Sequence, residues 1–241
     1  MLQLDSSYAI LGPVALLAGF IRGFAGFGGP LLMLPVLSQY LPPAAAMWVM
    51  MWVDLAVNIR LLPEARGAAS RSVVMPLSVG TLLAMPLGVK FMAAADPLAV
   101  KRAISAAVLV AAVVLMMGWR YRGRVNTAVW TGVGALSGLV MGATSLAITA
   151  ALFLHGDRSS PAESRANFIV WVFVASLALL ALLLVQKALA PGYLTMILVL
   201  TPLYLLGTVA GAHWHGRASE RLVRGLVLLL AACIGGVGIF I

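Results

Sequence analysis

The sequence predicts an all-α polytopic membrane protein, with about eight transmembrane segments in two four-helix repeats and a broken helix at the start of each. Three observations carry this. Hydrophobic residues make up 63% of the 241-residue chain and charged residues only 10%, which leaves too little polar surface to cover a soluble core. Windows free of Asp, Glu, Lys and Arg recur along the chain: Ser72–Val89, Ala103–Trp119, Val125–Gly156, Ala166–Gln186, Ala188–Gly216 and Gly225–Ile241. Each reaches or approaches the roughly 20 residues that span about 30 Å of hydrocarbon. Finally, two glycine-dense stretches, Gly19–Pro30 and Gly134–Ser145, interrupt apolar segments at matching places in the two halves. Such interruptions point to a transporter's binding site.

Taken in order, span 1 runs from about Tyr8 to Phe24 and breaks at Gly26–Pro30, and a short arm, Leu31–Tyr40, follows. Pro43 sits where proline starts a helix, so span 2 covers Ala44–Leu62, with Pro63–Gly67 as a polar loop. Span 3, Ser72–Met92, carries Pro76 and Pro86, both tolerable in a bundle. Asp96-Pro97 restarts the chain as a helix N-terminus for span 4, Leu98–Trp119. The basic loop Arg120–Arg124 is the midpoint, dividing a first repeat, residues 1–122, from a second, residues 123–241, within one membrane domain. Span 5, Thr127–Met141, breaks at Gly142–Ser145 and continues as an arm to Leu154, before a loop from His155 to Pro161. Spans 6, 7 and 8 cover Ala162–Leu184, Tyr193–Ala212 and Ala218–Phe240.

Ordered matches support a duplication: Gly19 and Gly23 with Gly134 and Gly138, Pro43 with Pro161, Gly88 with Gly207, and Arg102 with Arg221. Cations divide evenly between the two sets of loops. Arg60, Arg66, Arg71, Arg120, Arg122, Arg124 and Lys187 fall on one side; Lys90, Lys101, Arg102, Arg158, Arg165, Arg217, Arg221 and Arg224 fall on the other. The positive-inside rule therefore gives no orientation, and parallel or inverted repeats both fit.

The net charge of +9 is scattered at helix ends, where cations anchor to headgroups, so it does not point to nucleic acid. The one cysteine, Cys233, excludes an internal disulfide and reads as a packing residue. The residues before Tyr8 contain Asp5 but no Lys or Arg, so no signal peptide is expected and span 1 is retained. No phosphate loop, nucleophile elbow or zinc motif is present, so no enzyme and no cofactor is expected. His155, His213 and His215 lack the companions a metal shell needs. Trp48, Trp52, Trp119, Trp130, Trp171 and Trp214 read as interface-belt or packing residues.

The candidate substrate residues lie at the breaks. Gly26, Phe27, Gly28 and Gly29 let the backbone leave the helix and present N–H groups to an anion at a helix N-terminus. Gly142, Ala143, Thr144 and Ser145 form the second copy and add hydroxyls. The plainer role for Gly19-x-x-x-Gly23 and Gly134-x-x-x-Gly138 is close helix packing. Arg22 and Asp54 are charges inside apolar segments, each costing roughly 2.5–3.5 kcal/mol to insert at a helix centre. Arg22 balances an anionic substrate, pairs with Asp54, or snorkels. Asp54 is the candidate proton-coupling residue, with Asn58 four residues on along the same helix face. Arg165 and Asn167 open span 6 beside the second break and complete the set of candidate ligands.

At these residues the chain resembles the TauE/SafE family of membrane permeases, also called the sulfite exporter or 4-toluene sulfonate uptake permease family. The likeness lies in Gly19–Leu37, with Gly-Phe-Gly-Gly-Pro followed by Leu-Leu-Met-Leu-Pro, and in Gly134–Gly156. The resemblance implies secondary transport of small, often sulfur-containing anions, by proteins of about seven or eight spans built from a four-span duplication. The second copy departs from the glycine-rich form, with Ala143-Thr144-Ser145 where Gly28-Gly29-Pro30 stand in the first, which places selectivity partly in Thr144 and Ser145. The expectation is therefore an alternating-access transporter in the cell (inner) membrane. Its partners are a small anion, the lipid bilayer and protons, and it works as a monomer or homodimer. The two other classes are a passive anion channel and a non-transporting scaffold. A scaffold accounts for packing glycines but leaves unpaired intramembrane charges at Arg22 and Asp54 unexplained.

Overall fold

A computed structural model describes residues 2–117, 125–156, 160–185 and 193–214. Among them are nine helices and no strand: α1 (Leu2–Ala25), α2 (Gly29–Tyr40), α3 (Pro43–Ala68), α4 (Arg71–Ala94), α5 (Pro97–Met116), α6 (Thr127–Thr144), α7 (Ile148–Gly156), α8 (Pro161–Val185) and α9 (Leu194–Trp214). Five of these, α3, α4, α6, α8 and α9, are long and apolar enough to cross a membrane, and α1 contains a shorter apolar stretch, Tyr8–Phe24. This is a polytopic helical membrane fold. Span 8 with Cys233, the basic loop Arg120–Arg124, Trp119, Arg158, Lys187, His215, Arg217, Arg221 and Arg224 lie outside the described residues.

Side-chain caps start several helices where the sequence places polar residues. Asp96 Oδ1 accepts from the N–H groups of Leu98, at 2.8 Å, and Ala99, at 3.3 Å. Asn126 Oδ1 caps α6 through Val129 N–H at 2.9 Å, and Ser160 Oγ meets Glu163 N–H at 3.2 Å.

Two expected boundaries shift. The stretch Pro63–Gly67 is not a loop, because α3 runs through Pro63 to Ala68. Proline removes one N–H bond, but Leu61, Ala65 and Ala69 pack against Ala166, Ile169 and Val170 of α8, which holds the extra turns in place. The second break begins at Ser145 rather than Gly142, since Gly142, Ala143 and Thr144 are the last turn of α6. Downstream, α7 extends to Gly156, so His155 and Gly156 are helical.

The chain forms two compact units. The first comprises Met1–Ala56, Asp96–Met116 and Leu189–Ile241, and the second Val57–Ala95 and Met117–Ala188. In the first, α1 lies along α9, α2 folds back on α1, and α5 packs on α2. In the second, α4 lies along α6, α8 packs on α4, and α7 bridges α6 and α8.

Both long pairs are held by missing side chains. A Cβ at Gly19 or Gly23 would strike the carbonyl oxygen of Tyr204 or Thr208, and one at Gly207 or Gly211 that of Leu16 or Phe20. In the second unit, Gly134 and Gly138 stand against the carbonyls of Leu77 and Thr81, and Gly80 against that of Thr131. Backbones thus touch directly, the close approach that small residues permit between membrane helices. Residue numbers rise together along each pair, so the two helices of each pair run in the same direction. The plainer reading of Gly19, Gly23, Gly134 and Gly138 is the one observed.

In packing terms the counterpart of Gly207 is Gly80, not Gly88. Leu16 and Thr131, the residues they meet, are separated by the same interval as Gly19 and Gly134.

Candidate functional site

The first break is short. α1 ends at Ala25, Gly26 and Gly28 take φ of 79° and 97°, and Gly29 begins α2 with Pro30 in its first turn. Only glycine adopts such left-handed angles without steric cost, which is why the chain reverses within three residues. Gly26 N–H still reaches back to the Arg22 carbonyl at 3.0 Å, and Leu31 N–H closes on the Gly28 carbonyl at 3.0 Å.

Arg22 and Asp54 meet beside this break. Arg22 Nε donates to Asp54 Oδ1 at 3.0 Å, and Arg22 Nη1 donates to the Gly26 carbonyl, tying the guanidinium to the break itself. Tyr204 Oη of α9 donates to the same Asp54 Oδ1 at 3.0 Å. All three side chains are shut away, with exposures of 1% for Arg22, 2% for Asp54 and 0% for Tyr204. The phenol also stands on the start of α2, where a Cβ on Gly29 would collide with its hydroxyl. Four predicted site residues, Arg22, Gly26, Gly29 and Asp54, are therefore gathered in the first unit.

Sequence reasoning missed Tyr204. It lies 150 residues from Asp54, and no local pattern marks it.

The remaining predicted residues belong to the second unit, apart from Phe27 and Gly28, which are half-buried in the first break. Asn58 is fully buried on α3. Thr144 Oγ1 donates back to the Val140 carbonyl at 2.7 Å and accepts from Leu146 N–H at 3.4 Å. Ser145 takes a left-handed φ of 62°, its N–H bonded to the Met141 carbonyl at 2.7 Å. Its Oγ is buried without a hydrogen-bond partner among the described residues. Gly142 is spent on packing, against the Met85 carbonyl, and Ala143 is half-buried. Arg165 is half-buried in the first turns of α8.

Asn167 has a structural task. Its Oδ1 accepts from Ser70 N–H at 2.7 Å, and Ser70 is the residue at which α4 begins. Replacing Asn167 by Ala is expected to cost about 1 kcal/mol, read as a lower thermal unfolding midpoint of the detergent-purified protein. An unchanged midpoint would mean that α4 does not depend on this bond.

Trp171 is fully buried, and its Nε1 donates to Thr81 Oγ1 at 3.0 Å. Thr81 in turn shares its proton between the carbonyls of Leu77, at 2.8 Å, and Gly134, at 3.1 Å. That one hydroxyl links α4, α6 and α8. Trp48 and Trp130 are also buried, whereas Trp52 and Trp214 are exposed.

The two units differ in charge. On the expected duplication, Ser137 and Val172 match Arg22 and Asp54 in sequence, and Leu77 meets Gly134 as Tyr204 meets Gly19. Ser137 Oγ donates only to its own helix, at the Val133 carbonyl.

A family model described as "Sulfite exporter TauE/SafE" matches residues 11–237, nearly the whole chain. No curated protein and no solved structure matches it.

Proposed function

Because this chain belongs to the sulfite exporter TauE/SafE family of membrane transporters, we propose that it carries a small sulfur-containing oxyanion, such as sulfite or a sulfonate, across the cell (inner) membrane. The transport is secondary, by alternating access, with protons as the coupling ion. Arg22 supplies the positive charge, the backbone of Gly26–Gly29 lines the place where the anion sits, and Asp54 handles the proton. In the second unit Thr144, Ser145, Arg165 and Asn58 contribute to selectivity, and the two halves derive from one four-helix repeat.

One observation carries this reading: a guanidinium and a carboxylate buried together at a helix break. A buried ion pair is a poor device for stability, because removing two charges from water offsets most of their attraction. A hydrophobic pair of similar volume would hold the helices as well. Ionisable groups inside a membrane that line a broken helix are what ion-coupled transport requires. The pairing does account for both charges in a scaffold, so the distinction from that class rests on flux.

The experiment is sulfite flux into proteoliposomes containing the purified chain. Saturable uptake, counterflow and acceleration by an inward proton gradient are expected, and Arg22→Ala should abolish all three. Flux that follows the electrochemical gradient without counterflow would make the protein a channel, and flux no greater than in empty liposomes would make it a scaffold.

A further inference from the structure

We infer that the Asp54 carboxylate sits where the transported anion binds, so that the anion enters only when Asp54 takes up a proton. This rests on the transporter reading above and deepens it, adding Tyr204 as a substrate-binding residue and fixing one proton per anion.

The argument starts from the donors. Asp54 Oδ1 receives Arg22 Nε from α1 and Tyr204 Oη from α9, both at 3.0 Å. A guanidinium and a phenol converging on one oxygen, beside the N-terminus of α2, form a grip for a singly charged oxyanion. The carboxylate is itself such an anion, fixed on α3. A free oxyanion presents the same acceptor chemistry and competes for the same two donors.

Charge decides the order of events. With Asp54 ionised, Arg22 is balanced, and a second anion in this buried place would leave one negative charge uncompensated. With Asp54 protonated, the guanidinium and the incoming anion balance instead. The step is a proton passing from hydronium in the aqueous phase, whose O–H bond breaks to leave water, to an Asp54 oxygen, while the hydrogen bonds of Arg22 and Tyr204 pass from Oδ1 to the anion. No other bond forms or breaks, and the site is neutral before and after.

Among the described residues the neighbouring helices carry few titratable groups. Arg22 and Tyr204 face Asp54 from α1 and α9, whereas α2 carries only Tyr40, at its far end. The next charged residue on α3 is Arg60; Lys101 and Arg102 lie on α5, and His213 ends α9. Ser137, Val172 and Leu77, which the expected duplication matches to Arg22, Asp54 and Tyr204, are neutral.

The test counts protons. Methanesulfonate is the probe because it stays ionised throughout the usable pH range. Titrated into the weakly buffered, detergent-purified full chain, it should take up one proton per anion bound, and none in Asp54→Asn. Tyr204→Phe should bind it about tenfold more weakly while still taking up the proton. Binding without proton uptake by the unaltered protein would overturn the inference whether or not Asp54→Asn folds. Unchanged affinity in Tyr204→Phe would also overturn it, as would saturable sulfite flux that methanesulfonate does not compete for. Absence of flux for both anions is a different result, because it removes the transporter reading itself.

Discussion

A protein carrying Asp54→Ala is expected to lose about 3–5 kcal/mol of stability, because the Arg22 guanidinium then stays buried with its charge uncompensated. The expectation follows from the exposures of 1% and 2% for the two residues and from the single carboxylate oxygen that holds both Arg22 and Tyr204. Asp54→Asn should lose less, since the amide oxygen still accepts hydrogen bonds. The sharper comparison is a double variant, Arg22→Met with Asp54→Leu. If the pair costs as much to bury as it returns, this variant should be more stable than Asp54→Ala while transporting nothing. Thermal unfolding of these proteins in one detergent, with the single variants Arg22→Met and Asp54→Leu beside them, decides the matter. A double variant whose loss equals the sum of the two single losses would show that the charges do not interact.

Gly23→Leu is expected to be at least as damaging to folding. Even a Cβ at this position meets the Thr208 carbonyl, and backbone cannot step aside as a side-chain end can. The cost should be about 3 kcal/mol or more, through separation of α1 from α9. Gly132→Ala is the control, because nothing lies within 4 Å of a Cβ there. It should be neutral or slightly stabilising, by up to about 1 kcal/mol of helix propensity. Equal losses in the two variants would mean that the α1–α9 contact is not held by the absence of side chains.

Local chemistry made the first break legible. Gly-Phe-Gly-Gly-Pro offers left-handed angles and then a residue suited to a first helical turn, and the chain does leave the helix at Gly26 and re-enter it at Gly29. Arg22 and Asp54 were legible for another reason: each is costly where it stands, so each required a partner or a purpose. The second break was placed three residues early because glycine has two uses in a membrane. At Gly142 it permits contact with α4, and the chain turns instead at Ser145, a residue with no steric excuse for a positive φ.

Long-range partners were the least legible. Asn167 meeting Ser70, Trp171 meeting Thr81 and Tyr204 meeting Asp54 are ordinary residues until the fold brings them together. The pairing of Gly207 with Gly88 rested on sequence offset alone, whereas close packing sets Gly80 against Thr131 as it sets Gly207 against Leu16, a relation that no local pattern reveals.

The pairing of α1 with α9 has a consequence for how the chain is made. Gly19 emerges from the ribosome 185 residues before Tyr204, the residue it must touch. At roughly 5–20 residues per second, α1 waits on the order of ten to forty seconds in the bilayer with its glycine face uncovered. The helices of the second unit, α4 and α6, are complete by Thr144 and can join while α9 is still unmade. The α4–α6 contact can therefore form before the α1–α9 contact, which has to await the last third of the chain.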